Sequence, residues 1–109
     1  MIPKGVWVLG KYWTVEAKVG FYRNEECFGD TIHPQLRIRV DSEMSLQQTR
    51  DTLLHEIIHA IEKELGLTMS EKTVKQLSTT LLAVLRGNPS LMTFLLSEAE
   101  DNADATTSP

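Results

Sequence analysis

Apolar residues recur at every second position over much of the first forty residues and at helical spacing beyond them. Val6 to Leu9 is a short β-type run. After Gly10-Lys11 comes Tyr12 to Val19, where Trp13, Val15, Ala17 and Val19 alternate with Tyr12, Thr14, Glu16 and Lys18. Period two marks a strand with one buried face and one wetter face. The two-residue break beginning with glycine predicts a hairpin closed by a type II′ turn. Gly20 to Asp30 reads as a loop, and Thr31 to His33 as a short strand broken by Pro34-Gln35. Leu36 to Val40 is a clearer strand, with Leu36, Ile38 and Val40 on one face and Arg37 and Arg39 on the other. It fits either the interior of a sheet or an edge. At an edge the arginines discourage aggregation, and an extended peptide can add as a further strand.

Asp41 to Met44 is a polar connector, and the helical period starts at Ser45. Ser45 with Gln48 three residues on is a capping-box pattern. Leu46, Leu53, Leu54, Ile57, Ile58, Ala60, Ile61 and Leu65 carry the helix to about Leu65, and Gly66 is its stop. A second helix is predicted from Ser70 or Glu71 to Leu85, with Val74, Leu77, Leu81, Leu82 and Leu85 at helical spacing. Asn88 caps a third, short helix with Pro89 at its first position, ending near Ser97. Residues 98–109 are polar, acidic and without periodicity, and are expected to be a disordered tail behind a single domain of residues 1–97.

Composition narrows the class. The 109 residues suffice for one domain, and 41% hydrophobic with 24% charged residues reads as soluble and globular. A net charge of −4 argues against direct binding to nucleic acid, which needs clustered Lys and Arg. The single cysteine, Cys27, excludes an internal disulfide and is expected to be a buried or loop thiol. No apolar run approaches 18 residues, and no signal-peptide pattern opens the chain, so a cytoplasmic protein is expected. Trp7 and Trp13 are expected to pack in the core or under loops.

The chemistry concentrates in His55-Glu56-Ile57-Ile58-His59, which takes two of the three histidines. On a helix, residues four apart lie only about 40° apart, so both imidazoles can converge on one metal ion. Glu56 sits about 100° round from His55, within reach of a water on that metal. This is the H-E-x-x-H arrangement of zinc peptidases, with two histidine ligands and a glutamate as general base. Catalytic zinc needs a third protein ligand. Glu62 is two turns from His55, about 10 Å along the axis, too far to share an ion with it, and Glu64 points elsewhere. Glu71 opens the next helix, where a short antiparallel pair brings it beside His59. It has a competing role, because Thr68-x-x-Glu71 is itself a capping box. His33, Asp30 or no third ligand remain open.

Leu53 to Ala60, continued through Glu64-Leu65-Gly66-Leu67, Ser70-Glu71 and Leu85-Arg86-Gly87-Asn88-Pro89, resembles the zincin metallopeptidases. The likeness is to small phage and prophage members related to the ImmA/IrrE and SprT-like groups. It implies an α+β fold of minimal zincin type: a small antiparallel sheet of three or four strands on an active-site helix, followed by one long and one short helix. It further implies Zn2+ held by His55, His59 and Glu71, Glu56 as the catalytic glutamate, and a protein or peptide substrate, in the bacterial host cell if the chain is phage-encoded. The alternative is a non-catalytic zinc-binding module that works through protein contacts.

Overall fold

The computed structural model describes residues 2–21 and 28–98. Along the chain come β1 (Gly5–Val8), β2 (Lys11–Lys18), β3 (Gly29–Ile32), a 3-10 turn (His33–Gln35) and β4 (Arg37–Asp41). Three helices follow: α1 (Leu46–Leu65), α2 (Glu71–Gly87) and α3 (Pro89–Leu96). Strands first and helices after make an α+β fold. The predicted loop thiol at Cys27 and the tail beyond Glu98 lie outside the described residues.

The strand order is β1-β2-β4-β3. The β1–β2 and β3–β4 pairs are antiparallel, whereas β2 and β4 run parallel, with Val15 opposite Ile38. The sheet is therefore mixed where the family likeness implies an antiparallel one. After β2 the chain does not turn back against its neighbour. It crosses to the far side, forms β3 there and reverses through His33–Gln35, so β4 slots between β2 and β3 in the direction of β2. Leu36 closes the reversal in the left-handed region at φ 52, its N–H donating to the His33 carbonyl at 3.0 Å. Leu36 thus precedes the strand it was expected to begin. β4 is interior, so among the described residues the end strand at this side of the sheet is β3.

The β1–β2 hairpin also closes differently. Val8 pairs with Lys11, and the two turn residues are Leu9 and Gly10, at φ 48 and 86. Two positive φ values belong to type I′, whose twist matches that of the flanking strands. This register points Val6, Val8, Trp13 and Val15 inward and Trp7 outward, where it stacks edge-on against Tyr12 at 5.2 Å. Trp13 is fully buried as expected, but Trp7 is 73% exposed. Leu9 occupies a backbone region that favours Gly, Asn or Asp and buries little in return. Leu9→Asn is expected to stabilise the protein by about 1 kcal/mol, read as a rise in melting temperature of roughly 4–8 °C.

One face of the sheet packs on α1. Val8, Trp13, Val15, Ile38 and Val40 meet Ala60, with Leu53, Ile57 and Ile61 around it. Ala60 has no side chain beyond Cβ, which lets the helix lie close to the strands. The alternation in β2 is buried only through Val15; Val19 lies past the strand end and is exposed.

The helix ends decide where the site residues fall. Ser45 caps α1, its Oγ accepting from the Gln48 N–H at 3.1 Å, and Gly66 at φ 68 terminates it. The cap of α2 is Ser70, whose Oγ accepts from the Thr73 N–H at 3.1 Å. The predicted Thr68–Glu71 box does not form, and this releases the Glu71 side chain from capping duty. α2 runs two residues further than predicted, to Gly87. Asn88 finishes it, Nδ2 donating to the Val84 carbonyl at 2.7 Å, and gives α3 no side-chain cap. Among the described residues no helix is long and apolar enough to cross a membrane.

Candidate metal centre

Two stripes run along α1. Leu53, Ile57, Ala60 and Ile61 face the sheet, while Thr52, His55, Glu56, His59 and Glu62 lie on the side toward β3 and α2. Residues 66–70 reverse the chain, so α2 begins beside the second histidine. Glu71, at the first position of α2, reaches back across α1. Its Oε1 lies 3.0 Å from His59 Nε2 and also contacts His55 Nε2. One potential donor atom from each of His55, His59 and Glu71 falls within 4.8 Å of the others, the one such grouping among the described residues. The two imidazole rings meet edge-on at 4.9 Å.

Glu62 binds on the other side of His59. Its carboxylate is buried, Oε1 lying 2.6 Å from His59 Nδ1 and Oε2 accepting from the Met69 N–H at 2.5 Å. A carboxylate only accepts, so Nδ1 donates to Glu62 and Nε2 donates to Glu71; a metal held there would take the place of the Nε2 hydrogen while Nδ1–H stays on Glu62. The same carboxylate pins the loop that delivers Glu71. The Met69 N–H first, then His59, hold the Glu62 carboxyl below its ordinary range. Burial works against a charged His59, but hydrogen bonds to Glu71 and Glu62 outweigh it and raise the imidazole. Burial likewise pushes Glu71 upward, yet His59 and His55 bring it below its usual value. Two Nε2 atoms and a carboxylate oxygen thus converge on a point that favours shared positive charge.

A tautomer test follows from Glu62. In Glu62→Gln the amide oxygen can keep the Met69 N–H, which turns the amide N–H2 toward His59 Nδ1. Nδ1 must then accept, so a neutral ring keeps its one hydrogen on Nε2, the nitrogen a metal would need. Zinc affinity is expected to fall by about 10–100-fold. Competition against a chromogenic chelator measures the affinity, and ring 15N shifts of metal-free protein report the tautomer. Unchanged 15N shifts would contradict this assignment.

Glu56 points to β3. The Thr31 hydroxyl donates to Glu56 Oε1 at 2.7 Å, with the Glu56 carbonyl 3.1 Å away sharing the hydrogen. Burial pushes the Glu56 carboxyl above its ordinary value, against the opposing pull of Thr31, His55 and His59. Close approach of β3 to α1 depends on Gly29. A Cβ there would lie 2.7 Å from the Arg39 carbonyl, 3.0 Å from Thr52 Cγ2 and 3.3 Å from Glu56 Cγ. The first of these is backbone in the neighbouring strand and cannot swing aside. Gly29→Ala is expected to cost about 1–3 kcal/mol in denaturant melts, by displacing the strand that holds Thr31.

The other candidates are occupied elsewhere. Asp30 pairs with Arg39, whose Nε donates to Oδ1 at 2.9 Å. His33 stacks near Trp13 at 6.0 Å, outside the cluster. Glu64 takes an ion pair from Lys11 at 3.1 Å, joining α1 to the hairpin. The sequence pattern did not reveal Thr31 or the positioning role of Glu62. For Glu62 a signal existed: its i+3 spacing from His59 suits a bond to Nδ1. Two open pockets flank the centre, and Glu56 and Glu71 line both. One of about 240 Å³ extends past His55 to Lys75, and one of about 260 Å³ extends past His59 to Lys63.

No family model, no curated protein and no solved structure matches the chain.

Proposed function

We propose that the protein is a zinc-dependent endopeptidase of the cell interior that acts on a particular protein substrate. The observation that carries this reading is the convergence of His55 Nε2 and His59 Nε2 on one oxygen of Glu71, with Glu56 beside them. Two imidazole nitrogens and one carboxylate oxygen are a donor set that suits zinc and leaves a coordination position open. When bound, zinc supplies a Lewis acid that brings a water's pKa near neutrality and polarises a carbonyl. His55, His59 and Glu71 would hold it, and Glu62 sets the His59 tautomer. Thr31 engages one Glu56 oxygen and leaves Oε2 to take the proton of the attacking water. Glu56 then returns that proton to the leaving amine. An extended substrate would lie along β3, whose Gly29, Asp30 and Thr31 border the flanking pockets, so the strand-addition role considered for Leu36–Val40 moves to β3.

The openness of the centre keeps a second reading in view. The Glu71 side chain is 71% exposed, as suits a zinc-holding interaction module as well as an enzyme. The test is digestion of a proteome-derived peptide library, read by mass spectrometry. Zinc-replete protein is expected to cleave, chelator-stripped protein to stop and zinc to restore cleavage. A Glu56→Gln protein that holds zinc and cleaves as well as wild type would rule out the enzyme reading.

A further inference from the structure

We infer that the seam between α1 and α2 docks an acidic peptide segment, with Lys75 and Arg86 as the residues that select it. The inference rests on the endopeptidase reading for the place of the scissile bond and adds the class of substrate. α1 and α2 lie antiparallel: Glu71 meets His59, and further along the Thr79 hydroxyl donates to Asp51 at 3.2 Å. Two cavities follow this seam. The one of about 240 Å³ spans α1 from Gln48 to Glu56 and reaches Glu71 and Lys75 on α2. The other, of about 450 Å³, lies between Gln48 and Asp51 of α1 and Thr79, Leu82 and Arg86 of α2. Gln48 and Asp51 border both, so the cavities adjoin and the groove leads from the metal centre toward the far end of α2.

Charge alternates along the groove. Lys75, Thr79, Leu82 and Arg86 stand at i, i+4, i+7 and i+11 of α2, one stripe of the helix. Neither Lys75 nor Arg86 has an ion pair or a side-chain hydrogen bond among the described residues. Between them lies Asp51, held by Thr79 through both carboxylate oxygens. Two cations that no carboxylate of the chain satisfies favour carboxylates brought by the ligand, and Asp51 between them disfavours a third acid there. The net charge of −4 gives an acidic ligand no long-range attraction, so selection falls to these two positions. Their separation along α2 is about 16 Å, which an extended peptide spans in about five residues. The selected segment therefore carries one acid close to the scissile bond, at Lys75, and a second about five residues further on, at Arg86.

The full-length Glu56→Gln protein with zinc added, which should not consume its ligand, tests this by fluorescence anisotropy. The probe is a labelled peptide of Ala, Ser and Gly, about twelve residues long, with two Glu about five positions apart. In companion peptides Gln replaces either Glu or both. Each exchange should weaken binding about two- to fivefold, the range of partly exposed ion pairs, and the double exchange by about the product. Lys75→Glu and Arg86→Glu should each reverse the preference, binding a peptide with Lys at the facing position better than the Glu peptide, a result that lost structure does not produce. Lys4→Glu makes the same change of charge outside the groove and should leave the preference intact. Equal binding of the Glu and Gln peptides overturns the inference, as does no binding of either up to about 1 mM. So does a preference that Lys4→Glu removes or that both groove variants leave unchanged. Cleavage is read separately with zinc-replete wild type. Acid-dependent binding without cleavage keeps the groove and removes the endopeptidase reading, whereas cleavage without acid dependence does the reverse.

Discussion

Glu56→Gln is expected to lower peptide cleavage by about 10²–10⁴-fold while zinc remains bound at one per chain. That loss is about 3–5 kcal/mol of transition-state stabilisation. The substitution is close to isosteric. The glutamine oxygen can still accept from the Thr31 hydroxyl, 2.7 Å from Oε1 in the native site. The amide N–H2 then occupies the place of Oε2 and presents a donor where the attacking water needs an acceptor. Neither histidine loses a contact, since Glu56 binds Thr31 and not the rings. Stability should hold or rise slightly in the metal-free protein, because a buried carboxylate is replaced by a neutral amide at a site where burial already disfavours charge. Cleavage rate, metal content and melting temperature separate the possibilities. Loss of zinc together with activity would mean that Glu56 supports the site structurally, and retention of activity would remove it from the mechanism.

The parts of the molecule that were legible in the sequence are those set by local rules. Ser45 and Gly66 bound α1 because capping oxygens and left-handed glycine act within one turn. His55 and His59 share a face because the helix period requires it. The parts that failed are non-local. The parallel pairing of β2 with β4 depends on where the chain goes between them, and nothing in the alternation of either strand encodes that path. The hairpin turn slipped by one residue because Leu9, a poor residue for positive φ, is held there by the inward register of Val8 and Trp13. Ser70 caps α2 in place of Thr68 although only Thr68 has an acid three residues on, because the three-dimensional turn, and not the box pattern, decides which hydroxyl meets the free N–H groups. Thr31 was invisible as a partner of Glu56, since 25 residues and a strand reversal separate the two.

That choice of cap bears on the second large effect. Glu71→Ala is expected to abolish stoichiometric zinc binding, a loss beyond the roughly 100-fold that changes outside the ligand set produce. Were Glu71 a cap, its removal would fray α2 and metal loss would be indirect. Ser70 performs the capping, so α2 should lose only the interaction of an acid with its N-terminus, about 0.3–1 kcal/mol. Far-ultraviolet circular dichroism should therefore be unchanged while zinc is lost. His33→Ala is the control. His33 lies in the strand reversal beside Trp13 and outside the His55–His59–Glu71 cluster, so that variant should bind zinc like wild type. Asp30→Ala should also retain the metal, since its carboxylate is committed to Arg39. Elemental analysis of the three purified variants gives the answer directly. Zinc retained by Glu71→Ala and lost by His33→Ala would reassign the third ligand. Zinc retained by all three would leave His55 and His59 as the whole protein share of the site, too few for the tetrahedral centre that the proposed peptide hydrolysis requires.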